Sequence, residues 1–534
     1  MNANGTPSRC ASWDRRALQT IAERLLQIRE EISRTEARHR DCLTSVHPTH
    51  RQSACNLLHY LAFRRYDLRP LQEDLASIGL SSLGRNEASV AFSIDALLRI
   101  LNGLIASPLP ASASEIPPPT CAQGRALLEQ NTCRLLGPPP PGRKVRIMVT
   151  MPAEAATDPD FVRELIVSGM DCMRINCAHD HPDAWHQMAT HLRRAQQETG
   201  RTCRLLMDLA GPKLRTGHVR QEEPELGVLR LFKGDLLRLT RDPLPGQVAR
   251  RDPEGRIIHP AQIACQLPEV FPCVRPGERI WFDDGKIGGI VRDVRPDALL
   301  IEITHARDSG EKLRAEKGIN LPDSALNLPA LTEQDLQNLP FIAAHADMIG
   351  YSFVQRASDV DELRQRLSEL SATPPAIVIK VETQRAFLAL PQLLLAGLRA
   401  ESVGIMIARG DLAVELGYER MAEVQEEILW VCEAAHVPVI WATQVLEGLA
   451  QKGRPSRAEI TDAAMGVRAE CVMLNKGPHV IKAVRTLDDI LRRMQEHQLK
   501  KRSLLRELHA WAQWLEGESG NTGEPPQKAP ADHG

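Results

Sequence analysis

Two stretches, AIVIKVET (376–383) and SVGIMIARGDL (402–412), decide how this chain folds. Each is a short apolar run rich in β-branched residues that ends in charged or small polar groups. Runs of this length between amphipathic segments read as strands buried on both faces, the form strands take in a parallel sheet. Six more share the pattern: VRIMVTM (145–151), DCMRINCA (171–178), CRLLMDLAG (203–211), DMIGYSFV (347–354), PVIWATQVL (438–446) and CVMLNKG (471–477). Helical segments follow most of them, for example 160–168, 183–197 and 419–434. Eight strand–helix units in series predict an α/β chain closed into a (β/α)8, or TIM, barrel.

One connection does not fit a simple barrel. About 130 residues separate the third run from the fourth. Within that gap GVLRLFKGDLLRLT, ERIWFDDGKIGGIV and ALLIEITHA read as short strands joined by turns, so a β-rich lid domain over 218–317 is expected to interrupt the barrel. The barrel itself then covers 142–217 and 318–499. Ahead of it, residues 1–141 read as a mainly helical region: Leu18, Ile21, Leu25, Ile28 and Ile32 recur at three- and four-residue steps. The Pro-rich stretches ASPLPASASEIPPPT and GPPPPG read as a linker and a boundary. Residues 515–534 are polar and are expected to be disordered.

Composition narrows the function classes. The 534 residues are 43% hydrophobic and 25% charged, with a net charge of −2. No strong basic field points to nucleic acid or to an anionic membrane. No stretch approaching eighteen apolar residues stands out as a span, and the polar N-terminus has no signal-peptide core, so a cytoplasmic location is expected. The cysteines are scattered without a Cys-x-x-Cys pair and read as small buried hydrophobes rather than as disulfides or zinc ligands.

Chemistry in such a barrel belongs at the C-terminal ends of the strands. Those ends carry Arg174, Asn176 and His179; Asp208, Lys213 and Arg215; Lys380 and Glu382; Arg409, Gly410 and Asp411; then Thr443 and Gln444. Glu382 and Asp411, at neighbouring strand ends, suit a hard cation such as Mg²⁺; the bland alternative is a salt-bridged or solvated pair. Lys380 lies inside a buried strand and needs a partner there. Its ammonium could serve a carboxylate or stabilise a transferring phosphoryl group. Arg174 offers a planar fork suited to phosphate, and Gly410 lets backbone N–H groups approach an anion.

These residues fall in motifs that resemble the pyruvate kinase family: MRINCAHD, MDLAGPKLRTG, IWFDDGKI, KGINLP, IVIKVET, GIMIARGDLAVEL, VIWATQVLE, GRPSRAEITDAA and VMLN, in family order from about Lys144 to Leu499. The resemblance implies a pyruvate kinase: transfer of phosphate from phosphoenolpyruvate to ADP with Mg²⁺ (or Mn²⁺), yielding pyruvate and ATP. It implies that Arg174 contacts the substrate phosphate and that Lys380 stabilises the transfer. Glu382 and Asp411 would hold the metal. Gly410 and Asp411 would bind the substrate carboxylate with Thr443. Arg215, His179 and Lys317 match positions that approach the nucleotide, and Asp284 could close over the site from the lid.

The sequence also departs from the family. Asn176 and Asp208 match part of the K⁺ site of many members, but the serine position is Ala178. Lys213 stands where K⁺-dependent members carry glutamate, as in K⁺-independent members. A tethered ammonium would supply the missing charge, so K⁺ is not expected to be required. The family's Thr-Ile-Gly-Pro has become VTMP (149–152). The loop after the eighth strand, LNKGPHVIKAV, is shorter than the family's nucleotide loop, so weaker, altered or lost nucleotide binding is the expectation, with Lys476 and Gly477 as candidates for a substitute phosphate contact. The family's C-terminal domain is not expected here, which leaves the oligomeric state open, a homo-oligomer included. Two other readings stand beside the kinase: a barrel that binds an enolpyruvate or keto acid for different chemistry, and a metabolite sensor without turnover.

Overall fold

Eight parallel strands close into a barrel in the computed structural model: β1 (Arg146–Thr150), β2 (Cys172–Asn176), β3 (Arg204–Asp208), β4 (Met348–Tyr351), β5 (Ala376–Val381), β6 (Val403–Ala408), β7 (Val439–Ala442) and β8 (Cys471–Leu474). Each strand pairs with its sequence neighbours, and β8 closes on β1 through Arg146 opposite Cys471. Residues 15–81, 83–84, 86–105, 119, 121–219, 228–254, 257–326, 328–495, 498–499 and 502–503 are described. The tail at 515–534 and nearly all of the Pro-rich stretch at 106–120 lie outside the described residues.

The two-residue period of a strand sorts the barrel into layers. Met148, Cys172, Leu206, Met348, Val378, Met406, Ile440, Cys471 and Met473 pack together as one buried apolar cluster. Two residues further along the same faces come Arg174 after Cys172, Asp208 after Leu206, and Lys380 after Val378. The polar layer at the rim is therefore the next layer of the barrel interior. The outer faces, such as Ile147, Ile175, Ile379, Ile405 and Val472, pack against the surrounding helices.

Helix Cys121–Leu136 closes the opposite end: Leu135 and Leu136 join the interior cluster. Gly404 leaves room for it, since a Cβ would lie 2.4 Å from Leu135 Cδ2. Arg146 ties the helix end in place, its Nη2 donating to the Gly137 carbonyl at 2.6 Å.

The remaining N-terminal helices, chiefly Arg15–Arg38, Arg51–Phe63 and Val90–Ile105, form their own apolar core and pack on barrel helix Tyr418–Ala434. Asn56 seals that junction by donating to the carbonyls of Glu87 and Ala434 at 2.7 and 2.8 Å. Among the described residues one stretch, Glu87–Ile105, is long and apolar enough to cross a membrane, against the expectation that no such run is present. Its apolar character has a packing cause: Val90, Ala91, Ile94, Leu97, Leu98 and Leu101 are buried in this helical core.

Between β3 and β4 lies a six-stranded sheet with its own core, ordered Ile319–Asn320, Arg279–Phe282, Ile287–Val294, Ala298–His305, Leu236–Thr240, Ala261–Ala264. It carries Asp283 and Asp284 on the turn after Phe282, both at positive φ.

Candidate active site at the C-terminal rim

Asp208 is the centre of the rim. Its Oδ2 accepts from Arg174 Nε at 3.0 Å, from Arg174 Nη2, and from Lys380 Nζ at 3.1 Å. Arg174 spends its remaining edge on Thr150 Oγ1 at 2.9 Å. Burial alone would raise the Asp208 pKa, but the Lys380 and Arg174 charges outweigh it and hold the carboxylate below its ordinary value. This placement requires glycine at 350: a Cβ there would lie 2.2 Å from Asp208 Oδ1.

Lys380 is buried among Asp208, Glu382 Oε1 at 2.9 Å and Ser352 Oγ at 2.7 Å. Burial disfavours its charge, yet the two carboxylates win and raise its pKa, so the ammonium is firmly charged. Ser352 in turn donates to the Leu209 carbonyl at 2.7 Å and acts as a fixed spacer. Glu382 Oε2 accepts the Phe353 N–H at 2.7 Å.

The neighbouring carboxylate, Asp411, lies in the first turn of helix Arg409–Leu416. Lys213 Nζ bonds both its oxygens, at 2.8 and 3.1 Å. Lys213 is held charged mainly by Asp411 against burial, with Asp284 and Glu382 contributing. Gly318 gives it room, since a Cβ would sit 3.0 Å from Lys213 Cε. Lys213 thus lies with Asp411, whereas Asn176 turns back to accept the Ala178 N–H at 3.2 Å.

Each of the two carboxylates is already engaged by a lysine, Glu382 by Lys380 and Asp411 by Lys213. Burial first, and then the Asp411 charge, push the Glu382 pKa up despite Lys380. Two oxygen-only donors that repel each other at one rim suit Mg²⁺, which would relieve that repulsion.

Thr443 Oγ1 accepts the Gly410 N–H at 2.7 Å. Thr443 and Gln444 both have positive φ, 64° and 58°, which is costly for a β-branched residue. Arg409 holds this turn: it donates to the Ala442 carbonyl at 3.0 Å and the Thr443 carbonyl at 2.7 Å, pairs with Asp462, and stacks over Trp441 at 4.7 Å.

A cationic mouth adjoins the rim. The His179 pKa is lowered by burial and then by the charges of Lys476 and Arg215. Arg215 donates to the Glu316 carbonyl at 3.1 Å, and Lys317 pairs with Asp283 at 2.9 Å. The short loop after β8 folds tightly onto helix Glu447–Lys452: Gln451 donates to the Lys476 carbonyl at 2.7 Å, and a Cβ at Gly477 would meet the Ala450 carbonyl oxygen at 2.5 Å. Asp284 offers its carbonyl to the Tyr418 hydroxyl at 3.3 Å.

Sequence reasoning missed Ser352, Thr150 and Asp283 as partners of these groups. The signal for Ser352 was a hydroxyl closing an apolar run, in YSFV; the partner roles of Thr150 and Asp283 had none.

Comparison with known proteins agrees with the barrel fold. The family described as "Pyruvate kinase, barrel domain" matches residues 142–479. The chain is 33% identical over 360 residues to pyruvate kinase of Corynebacterium efficiens, covering 66% of this chain and 69% of that protein. It is 32% identical over 371 residues to pyruvate kinase of Geobacillus stearothermophilus, covering 68% and 59%. It is also 32% identical over 383 residues to pyruvate kinase PKLR of Rattus norvegicus, covering 69% and 63%. The match thus spans about six- to seven-tenths of the length of these relatives, and the chain belongs to the pyruvate kinase family.

Proposed function

We propose that the chain transfers a phosphoryl group from phosphoenolpyruvate to ADP. The phosphorus–oxygen bond to the enol breaks, a bond to the terminal ADP oxygen forms, and the enolate carbon takes a proton to give pyruvate. The observation that carries this reading is Lys380: a buried, charged ammonium fixed by Asp208, Glu382 and Ser352, with the Arg174 fork on the same carboxylate. Donors preorganised in a dry site stabilise charge as it develops on transferring oxygens. Gly410 N–H and Thr443 Oγ1 lie together where the substrate carboxylate would bind. Glu382 and Asp411 would hold Mg²⁺ (Mn²⁺ suits the same oxygens), which supplies charge neutralisation at the phosphoryl oxygens. Arg215, His179 and Lys317, with Lys476 beside them, would receive the nucleotide phosphates. Turnover needs no K⁺ on this reading, because Lys213 brings a tethered positive charge into the carboxylate cluster.

A coupled assay of pyruvate release from phosphoenolpyruvate, ADP and Mg²⁺ tests this. Wild type should turn over, and Lys380→Met should lose about 10²- to 10³-fold in kcat, the worth of one preorganised donor. Turnover that survives Lys380→Met would sink the assignment. The tightly folded loop at 475–479 favours a second reading, in which the barrel acts on an enolpyruvate without ADP as acceptor. A nucleotide titration separates the two, since the second reading expects no ADP binding.

A further inference from the structure

The helices ahead of residue 142 lie outside the family match, and one polar cluster within them plays no part in the rim chemistry. Cys55 and His59 stand four residues apart on helix Arg51–Phe63, so they share one face a turn apart. Glu36, near the end of helix Arg15–Arg38, reaches the same point. His59 Nε2 lies 2.9 Å from Glu36 Oε2 and 3.2 Å from Cys55 Sγ. One ligand atom from each residue lies within 4.8 Å of the others. Cys55 and His59 are sealed from solvent, while the Glu36 side chain is 12% exposed.

We propose that Glu36, Cys55 and His59 form a Zn²⁺ site that clamps these two helices, with the fourth position open to water on the Glu36 side. The ligand set selects the metal. A thiolate and an imidazole disfavour Mg²⁺ and Ca²⁺, and sulfur, nitrogen and oxygen together suit tetrahedral Zn²⁺. The spacing is close to what is needed. Bonds of about 2.3 Å to sulfur and about 2.0–2.2 Å to nitrogen and oxygen set tetrahedral ligand atoms about 3.3–3.6 Å apart. The two measured separations need to open by only a few tenths of an ångström. Charge also balances: one thiolate and one carboxylate neutralise Zn²⁺, which keeps the cost of burial low. The guanidinium of Arg29, whose charge acts on Cys55, is engaged with Asp95 at 2.7 Å. Without a metal, a thiol, an imidazole and a carboxylate converge beside a helix seam filled by residues such as Leu25, Ile28, Ile32 and Ala62.

The test uses the full chain, reduced and stripped with a chelator, and titrated with Co²⁺ in excess Mg²⁺. One equivalent should bind with a thiolate-to-metal charge-transfer band in the near ultraviolet, and Zn²⁺ should displace it. Cys55→Ser should abolish the band. Glu36→Gln, at the exposed edge, should keep the band and weaken binding at least about tenfold. Zn²⁺ should raise the wild-type melting temperature and raise that of Glu36→Gln less, a readout that stands even if Cys55→Ser does not fold. No band in wild type, the same band in Cys55→Ser, or unchanged affinity in Glu36→Gln overturns the site.

Discussion

Replacing Lys213 with glutamine removes a charge and keeps a side chain of similar reach. The ammonium lies 2.8 and 3.1 Å from the two oxygens of Asp411. At such distances the gross attraction is about 5 kcal/mol for an effective dielectric near 20, most of it offset by desolvation. Breaking a fully buried pair costs about 3–5 kcal/mol. Here the side chains are 23% and 17% exposed, so about 2 kcal/mol is a fair discount. That corresponds to about 30-fold in rate if the loss falls on the transition state. In the coupled assay with Mg²⁺ and a bulky alkylammonium as the only monovalent cation, wild type should turn over as it does in K⁺. Lys213→Gln should fall about 30-fold without K⁺ and recover most of that loss when K⁺ is added. Wild type that turns over only with K⁺ refutes the idea that Lys213 replaces the ion. So does Lys213→Gln with full activity in the bulky cation. A folded variant inactive in both media would show that Lys213 has a role no diffusible cation can fill.

Thr443→Val removes the acceptor of the Gly410 N–H and should lower kcat/KM about tenfold or more, at about 1–3 kcal/mol for an unpaired group. Thr443→Ser should restore it, and a valine variant within twofold of wild type would remove Thr443 from the site. Glu415 is pushed by burial up to about 7, with Asn320 donating to it at 3.2 Å. Its folded pKa lies above its unfolded value, so from about pH 4.5 to about 7 the folded chain holds a proton that the unfolded chain has released. Stability from this group therefore falls as pH rises, by at most about 3 kcal/mol. Urea midpoints at pH 5 and pH 8 should differ less in Glu415→Gln than in wild type; equal differences contradict the assignment.

The barrel was readable because its strands are buried on both faces and its rim residues follow the interior at period two. Arg174, Asp208 and Lys380 each stand two residues beyond an apolar interior residue, so strand recognition alone brings them together. Relations between distant segments were not readable. Lys213 follows β3 and Asp411 follows β6, and nothing local says that one would pair with the other rather than with Asn176. Ser352 looked like the end of an apolar run. Cys55 looked like one more small hydrophobe, because its partners are His59 one helical turn on and Glu36 from another helix. No sequence spacing encodes that triad.

The rim also has a charge order that explains why so many ionised groups tolerate burial. Arg174 pairs with Asp208, Asp208 with Lys380, and Lys380 with Glu382, while Lys213 closes the far side on Asp411. Three cations and three carboxylates alternate at every ion pair among them, so the layer is formally neutral and each charge has an opposite partner within hydrogen-bond reach. Among the like-charge interactions that Glu382 feels, Asp411 weighs more than Asp208. A divalent cation placed there would turn the neutral layer positive by two charges, on the side where a phosphate and a carboxylate would arrive. Asp208 would keep Arg174 and Lys380 in place to meet that arriving charge. Asp208 is in that view a positioning residue. Asp208→Asn should leave both cations loosely held, raise KM for phosphoenolpyruvate more than it lowers kcat, and destabilise the fold. An equal loss in kcat with KM unchanged would assign Asp208 a part in the transfer itself.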